Sequence, residues 1–178
     1  MASPIAEPVD TSAISLVVTD LDGTLWHTDG SVHPETARAL AELEQRMVPL
    51  LVATGRRTRS TRLPLARIGI APPAIVMNGA VGVHLSTCDG VHLAPFTAKD
   101  ALTVLDEFEA CGLSPVVYVE GGDFEVWLSR EPSTHPEHAA ALLPHAGVGD
   151  LRAAIETEIV VGFSVLGRPH GDLVQASK

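Results

Sequence analysis

Cysteine and basic residues are both scarce in this sequence. Its 178 residues include two cysteines, Cys88 and Cys111, which are too few for a disulfide framework or a cysteine-rich zinc site, so we expect both to be reduced. Lysine and arginine together number 12 against 22 aspartates and glutamates, which gives a formal net charge of −10. A protein that binds a phosphate backbone needs a basic face, so this balance argues against a nucleic-acid partner.

Long hydrophobic runs are missing as well. No stretch approaches the roughly 18 continuous apolar residues of a membrane helix, and the N-terminus has neither the basic residue nor the apolar run of a signal peptide. We therefore expect a cytoplasmic protein with no membrane partner and with a flexible leader at residues 1–13. Because 46% of the residues are hydrophobic, the chain as a whole is not disordered and can bury a core.

The sequence does contain an alternation of strand and helix patterns over residues 14–81. Short β-branched runs predict strands, and apolar residues at helical spacing predict helices between them. Such an alternation predicts a doubly wound, Rossmann-like α/β core with a parallel sheet and right-handed crossovers. The predicted elements are strands 14–20, 48–53 and 74–77 and helices 34–47 and 57–68.

The pattern changes after residue 82. Strands that follow each other with Gly-rich turns predict antiparallel hairpins, here mixed with short helices. We therefore predict a core domain at residues 1–81 and an α+β domain inserted at residues 82–178. The elements predicted in the latter are strands 81–85, 91–93, 116–120, 124–128 and 158–166 and helices 98–111, 136–143 and 150–156.

Polar side chains follow each of the three core strands, where the ligands of such sheets bind. The sharpest signal is Asp20-Leu21-Asp22-Gly23-Thr24, in which two carboxylates leave the end of a buried strand. Carboxylates at this spacing can share a pocket, one attacking as a nucleophile while the other exchanges protons. Asp22-Gly23 by itself is also a common turn signal.

The other two strands end in shorter polar signatures. Thr54-Gly55-Arg56 follows the second strand and Asn78-Gly79 the third. Thr54 would also serve as an ordinary helix N-cap, and Asn78 as a structural turn residue. The arginines at 56, 57, 59, 62 and 67 either attract an anion or form a solvated helix face, and the second reading is favoured.

Residues Val17–Leu25 resemble the first motif of the haloacid dehalogenase superfamily of aspartate-nucleophile phosphohydrolases. Leu51–Arg56 resembles the second motif of its Cof-type, type IIB branch, and Asn78–Ala80 resembles the "NGA" of that branch. Because these enzymes insert an α/β cap after the third strand, the resemblance implies a partial Rossmann-like core followed by a type IIB cap.

The resemblance also implies roles for individual residues. Asp20 would attack phosphorus to form an aspartyl-phosphate, and Asp22 would protonate the leaving alcohol and then activate water. The cofactor would be Mg²⁺, held by the Asp20 side chain and the Asp22 backbone carbonyl. Thr54 would bind the transferring phosphoryl group. The other phosphate-binding candidates are Gly23, Thr24, Gly55 and Arg56, with Asn78 and Gly79 near the site.

Two elements of the family pattern have no counterpart in this sequence. The superfamily uses a later lysine and an acidic pair after the cap, whereas the lysines here are Lys99, in the predicted first cap helix, and Lys178 at the end. The three Gly-Asp pairs do not match the acidic pair: Gly122-Asp123 lies in a predicted hairpin, Gly149-Asp150 follows no buried strand, and Gly171-Asp172 is six residues from the end. We therefore expect the chain to stop inside the cap, and to hydrolyse phosphate esters poorly or not at all by itself.

The favoured function is thus a Mg²⁺-dependent phosphohydrolase of small phosphorylated metabolites, sugar phosphates among them, with a phosphate ester as its partner. The alternative is a catalytically inactive remnant that binds a metabolite or regulates a relative. A phosphomutase would keep the same nucleophile. A receiver-type phospho-acceptor module would not explain Asp-x-Asp-Gly-Thr followed by an α+β insertion.

Overall fold

The computed structural model describes residues 14–27 and 30–167, so the predicted leader at residues 1–13 lies outside the described residues. The chain divides into two compact units between Val91 and His92, and we call them the first and the second unit. This division falls later than the predicted domain boundary after residue 81. The reason is that the strand beginning at Val81 pairs with the third core strand and extends its sheet.

The first unit contains one five-stranded sheet in the order β1-β2-β3-β4-β5. The β1–β2 and β2–β3 pairs are parallel and the β3–β4 pair is antiparallel. The predicted α/β core with a parallel sheet is therefore confirmed. Its elements are β1 Val17–Thr19, α1 Pro34–Gln45, β2 Leu50–Ala53, α2 Thr58–Arg67, β3 Pro73–Val76, β4 Val81–His84 and β5 Gly90–Leu93.

The strand order of the first unit predicts that both of its helices lie on the same face of the sheet. Right-handed crossovers that step in the same direction, from β1 to β2 to β3, place their helices on the same side. On one sheet face Val52 and Ala74, which are register partners, are 0% and 1% exposed. On the other face Val18, the register partner of Leu51, is 55% exposed. The described part of the first unit thus covers its sheet unequally.

Local sequence explains where the two helices begin and how α2 departs from an ideal helix. At α1, His33 is the N-cap, its Nδ1 accepts from the Glu35 N–H, and Pro34 occupies the first turn. The α2 helix carries Pro64 in its interior. Proline has no N–H, so the carbonyl four residues earlier, that of Ser60, loses its helical donor.

The second unit contains a four-stranded sheet in the order β8-β7-β6-β9. The predicted hairpin of β6 and β7 is confirmed as antiparallel, and β9 pairs antiparallel with the other edge of β6. The β8 strand, which pairs parallel with β7, was not predicted. The elements are α3 Ala98–Ala110, β6 Val116–Glu120, β7 Val126–Leu128, α4 Pro136–Leu142, β8 Ala146–Val148, α5 Leu151–Thr157 and β9 Ile159–Ser164.

Two apolar clusters form the core of the second unit. One includes Leu105 of α3 and Ile155 of α5 together with Val117 of β6. The other joins Val116 of β6 to Leu142 of α4 and to β7. Consecutive residues of β6 therefore point to different clusters, as the two-residue period of a strand requires. Within residues 14–27 and 30–167, no helix is both long and apolar enough to cross a membrane.

Candidate functional site

The loop after β1 is a tight turn that starts with Asp20. The N–H groups of Leu25 and Trp26 donate to the Leu21 carbonyl at 3.0 and 3.2 Å. Gly23 takes a φ of +74°, which glycine adopts without steric cost. Asp20 is exposed at the end of the strand, and its Oδ1 accepts from the Leu21 N–H at 2.7 Å.

The backbone amides of Gly23 and Thr24 are used inside this turn. The Gly23 N–H donates to the Trp26 carbonyl at 3.0 Å, and the Thr24 N–H donates to the Leu21 carbonyl at 3.2 Å. Neither residue lines the pocket described below. Their contribution to the site is to shape the turn that carries Asp20 and Asp22.

Thr54 directly follows β2 and is nearly buried, with 8% of its surface exposed. Its N–H donates to the Ile75 carbonyl of β3 at 2.9 Å, so the sheet pairing continues to this residue. Its hydroxyl accepts from the Arg56 N–H at 3.3 Å. The hydroxyl is thereby fixed at the carboxyl end of the sheet.

The turn after β3 is built on two residues in the left-handed region. Met77 and Asn78 have φ values of 52° and 54°, and of the two only asparagine tolerates this conformation readily. The Met77 N–H donates to the Arg56 carbonyl at 3.0 Å, and the Asn78 N–H donates to the Thr54 carbonyl at 3.3 Å. These bonds join the turn after β3 to the loop after β2.

Gly55 lets the two loops approach each other. A Cβ atom at this position would lie 2.6 Å from the Asn78 Oδ1, closer than non-bonded atoms tolerate. Glycine is therefore required by the position of the Asn78 side chain. The backbone does not require it, since the φ of Gly55 lies outside the left-handed region. The sequence prediction placed Gly55 beside Thr54 for phosphate binding and did not identify this packing role.

The ends of β1, β2 and β3 surround an open pocket of about 400 Å³. The pocket brings together five of the predicted site residues, while Asp22, Arg56, Gly23 and Thr24 lie outside its lining. The other predicted arginines, at 57, 59, 62 and 67, are not part of the lining either. The lining residues are Asp20, Ala53, Thr54, Gly55, Ile75, Asn78 and Gly79.

Asp22 and Arg56 form a bidentate ion pair beside the pocket residues. The Arg56 Nε and Nη2 donate to Asp22 Oδ2 and Oδ1, each at 2.6 Å. Hydrogen bonding from Arg56 is the largest effect on Asp22 and lowers the pKa of its carboxyl, with a further lowering from the Trp26 indole. The Arg56 side chain is 36% exposed and the Asp22 side chain 52% exposed, so the pair contributes no more than about 1 kcal/mol to folding.

Trp26 completes this cluster and was missed by the sequence reasoning. Its indole N–H donates to Asp22 Oδ1 at 3.1 Å, and the Arg56 Cζ lies 5.2 Å from the centroid of its ring. The residue is 4% exposed. A buried tryptophan needs a partner for its N–H, so its position four residues after Asp22 was the available signal.

The donor set around Asp20 suits a hard cation that keeps part of its water shell. Mg²⁺ takes oxygen ligands and is commonly held by one or two carboxylates together with substrate phosphate and water. In the part of the chain that the structure describes, no three His, Cys, Asp or Glu side chains cluster as a metal site. A cation beside Asp20 would therefore need substrate or water oxygens to complete its coordination.

Comparison with known proteins gives a family match that spans both units. A sequence model described as haloacid dehalogenase-like hydrolase matches residues 17–137. A phosphoglycolate phosphatase of Methanopyrus kandleri is 39% identical over 67 residues, which cover 38% of this chain and 29% of that protein.

Solved structures show the same fold at low sequence identity. A haloacid dehalogenase superfamily phosphatase from Bacteroides thetaiotaomicron has a TM-score of 0.65 at 20% identity, covering 89% of this chain and 57% of its own. A subclass IIB sugar phosphatase of the same superfamily has a TM-score of 0.62 at 18% identity, covering 82% of this chain and 56% of its own. The chain thus spans little more than half the length of these structures.

Proposed function

The chain belongs to the haloacid dehalogenase-like hydrolase family, and from this premise we propose that its first unit carries the nucleophile of a phosphate-ester hydrolase. The observation that carries the proposal is the single pocket that Asp20 and Thr54 share at the carboxyl ends of parallel strands. Ligands of open α/β sheets bind in this location.

In the proposed reaction the Asp20 carboxylate attacks phosphorus and displaces the alcohol, which leaves an aspartyl-phosphate. Asp22 gives a proton to the departing oxygen and then takes one from the water that hydrolyses the intermediate. Phosphoryl transfer depends mainly on positioning and on charge stabilisation. Thr54 contributes its hydroxyl to phosphate binding, and Gly55 lies beside it in the pocket lining.

Mg²⁺ is the proposed cofactor, held by the Asp20 carboxylate and the Asp22 backbone carbonyl. When bound, it would neutralise phosphate charge during the transfer. The small-molecule phosphate ester remains the proposed partner, with sugar phosphates as the first class to screen. This choice is supported by the phosphatases among the relatives. The proposed location is the cytoplasm.

Hydrolysis of p-nitrophenyl phosphate in the presence of MgCl₂ tests the proposal. Because the chain by itself is expected to turn over slowly at best, the assay measures a residual rate. This rate should disappear in Asp20→Asn, since an amide is not a nucleophile, and should fall by a factor of about 10²–10⁴ in Asp22→Asn. Asp89→Asn, which changes an exposed aspartate of the same unit, is the matched control and should keep the rate. Turnover that survives Asp20→Asn would contradict the assignment of the nucleophile.

A binding or regulatory module without turnover is the second candidate. It is favoured by the bidentate ion pair in which Arg56 engages both carboxylate oxygens of Asp22, the group that would otherwise act on the leaving oxygen. This candidate predicts that inorganic phosphate binds to the Asp20 pocket while no substrate is hydrolysed. Calorimetric titration of phosphate into the wild type and into Asp20→Asn, next to the hydrolysis assay, separates the two functions.

A further inference from the structure

Arg56 contacts both Thr54, which would bind the phosphoryl group, and Asp22, which would act on the leaving group. Its main-chain N–H donates to the Thr54 hydroxyl in the pocket, while its guanidinium holds Asp22. The pKa of Arg56 is raised, first by its hydrogen bonds to Asp22 and also by the negative charges of Asp22 and Asp20. The side chain therefore lies within the electrostatic influence of both carboxylates.

Pro64 leaves a backbone carbonyl of α2 without its helical donor, and Arg56 binds to this carbonyl. Because Pro64 has no N–H, the Ser60 carbonyl lacks its usual helical donor. The Arg56 Nη1 donates to this carbonyl at 3.2 Å. This bond ties the guanidinium to the backbone of α2 independently of Asp22.

Both carboxylate oxygens of Asp22 are engaged by neighbouring donors in this arrangement. Its Oδ1 accepts from the Arg56 Nη2 and from the Trp26 indole, and its Oδ2 accepts from the Arg56 Nε. Both oxygens are thus occupied by donors. A leaving group or a water molecule competes with these donors for the carboxylate, and movement of the guanidinium would leave Oδ2 without a donor and Oδ1 bonded to Trp26 alone.

We propose, building on the proposed function, that Arg56 is a positioning residue that exchanges one anion for another. A phosphoryl group bound at Asp20 and Thr54 draws the guanidinium from Asp22, and the Asp22 carboxylate becomes free to act on the leaving group. The step makes and breaks hydrogen bonds only, so no covalent bond changes and no co-reactant is required.

The contacts of the pair support this exchange. With 36% of Arg56 and 52% of Asp22 exposed, water already screens the pair, so separating it is not costly. Phosphate offers arginine the same bidentate geometry as a carboxylate and carries more negative charge. The bond to Ser60 keeps the guanidinium close to the pocket during the exchange.

Trp26 gives the exchange a spectroscopic signal. Its ring lies against the guanidinium, and its indole N–H is bonded to the carboxylate that the guanidinium would leave. The chain has two tryptophans, so Trp127→Phe leaves Trp26 as the single indole fluorophore. Inorganic phosphate with MgCl₂ would be titrated into this variant while Trp26 emission is followed, and the same titration would be repeated by calorimetry.

We expect a saturable change in Trp26 emission with the same midpoint as the calorimetric binding curve. In the Trp127→Phe background, Arg56→Gln should abolish this change, while Arg59→Gln on the exposed side of α2 should retain it. If Arg56→Gln does not fold, the Arg56 Nε–H resonance of the parent chain provides a second measurement. It should shift with phosphate along the same binding curve.

Three outcomes would overturn the inference, and they differ in what they say about the proposed function. If calorimetry detects phosphate binding but neither the Trp26 emission nor the Arg56 Nε–H resonance changes, the phosphate site is retained and the exchange is excluded. An emission change that persists in Arg56→Gln would exclude it as well. No heat of binding at all would overturn both the phosphate site and the exchange that depends on it.

Discussion

The two units differ in how their sheets are covered. In the second unit, β6 places Val117 in one buried cluster and the adjacent Val116 in the other, so apolar side chains are buried on both sides of the strand. In the first unit, Val18 of β1 is 55% exposed and α1 has no buried residue. Parallel strands are ordinarily covered on both faces.

This difference indicates that apolar burial is distributed differently in the two units. The second unit relies on apolar burial, which is the largest favourable contribution to folding. The first unit buries less around α1 and β1, and it holds its functional end through hydrogen bonds between loops, such as those from Met77 and Asn78. Each unit contains one tryptophan, Trp26 or Trp127, so unfolding of the two is measurable separately.

The largest expected effect is the truncation of Leu105, which is 0% exposed in the second unit. Leu105→Ala should lower the free energy of unfolding by about 2–5 kcal/mol through lost burial and a cavity. Leu40→Ala on α1, where no residue is buried, should cost less than about 1 kcal/mol. Urea unfolding followed at Trp127 and Trp26 respectively measures both, and equal losses would remove the proposed difference between the units.

Two glycine substitutions test the comparison of the two units, with expected effects on stability of intermediate size. An added Cβ at Gly147 would lie 2.7 Å from Trp127 ring atoms, whereas at Gly55 it would meet the Asn78 Oδ1 at 2.6 Å. The ring is rigid and packed, so Gly147→Ala should destabilise the second unit by about 1–3 kcal/mol.

The Asn78 amide is the end of a rotatable side chain, so Gly55→Ala should cost less stability than Gly147→Ala. It should instead displace Asn78 and weaken phosphate binding at the pocket. Thermal unfolding and phosphate titration of both variants provide the measurement. The interpretation fails if Gly55→Ala is the more destabilising substitution and leaves phosphate binding unchanged.

The smallest expected effect is a pH-dependent contribution to the first unit from Asp22. Its carboxyl pKa is lowered in the folded chain, chiefly by the hydrogen bonds from Arg56. The stabilisation is therefore complete above the unfolded pKa of about 3.9 and is lost as the pH falls below this value through the folded one. At neutral pH, Asp22→Asn should lower stability by no more than about 1 kcal/mol, because the pair is partly exposed.

Urea unfolding at pH 7 and at lower pH, in the Trp127→Phe background, measures this contribution. The difference between Asp22→Asn and its parent should shrink as the solution is acidified. A difference that grows on acidification would contradict the direction of the shift.

Local sequence patterns predicted most elements and the positions of the polar residues. The strand ends at Asp20, Thr54 and Asn78 could be predicted because β-branched runs stop there and parallel strands share a carboxyl edge. The three-residue β8 strand, Ala-Gly-Val, has too little β-branched character to be distinguished from a loop. The hairpin from Val81 was assigned to the inserted domain because pairing with β3 leaves no local signal.

The parts of the site that sequence could not predict depend on contacts between distant residues. Asp22 and Arg56 are separated by 34 positions, and no spacing rule joins them. The helical spacing of Leu40 and its neighbours predicted the α1 helix, whereas the burial of its apolar residues depends on which layers surround the helix. Pro64 was visible in the sequence, but its consequence for Ser60 and Arg56 required the backbone geometry of α2.

The position of β1 has a consequence for how steadily Asp20 is held. The strand is three residues long, and in the sheet of the described residues it lies at the end, paired along one side with β2. Local opening costs least where a strand is short, paired on one edge and poorly buried. Hydrogen exchange at Val17–Thr19 would therefore measure the fraction of time during which the proposed nucleophile leaves its pocket while the rest of the sheet remains folded.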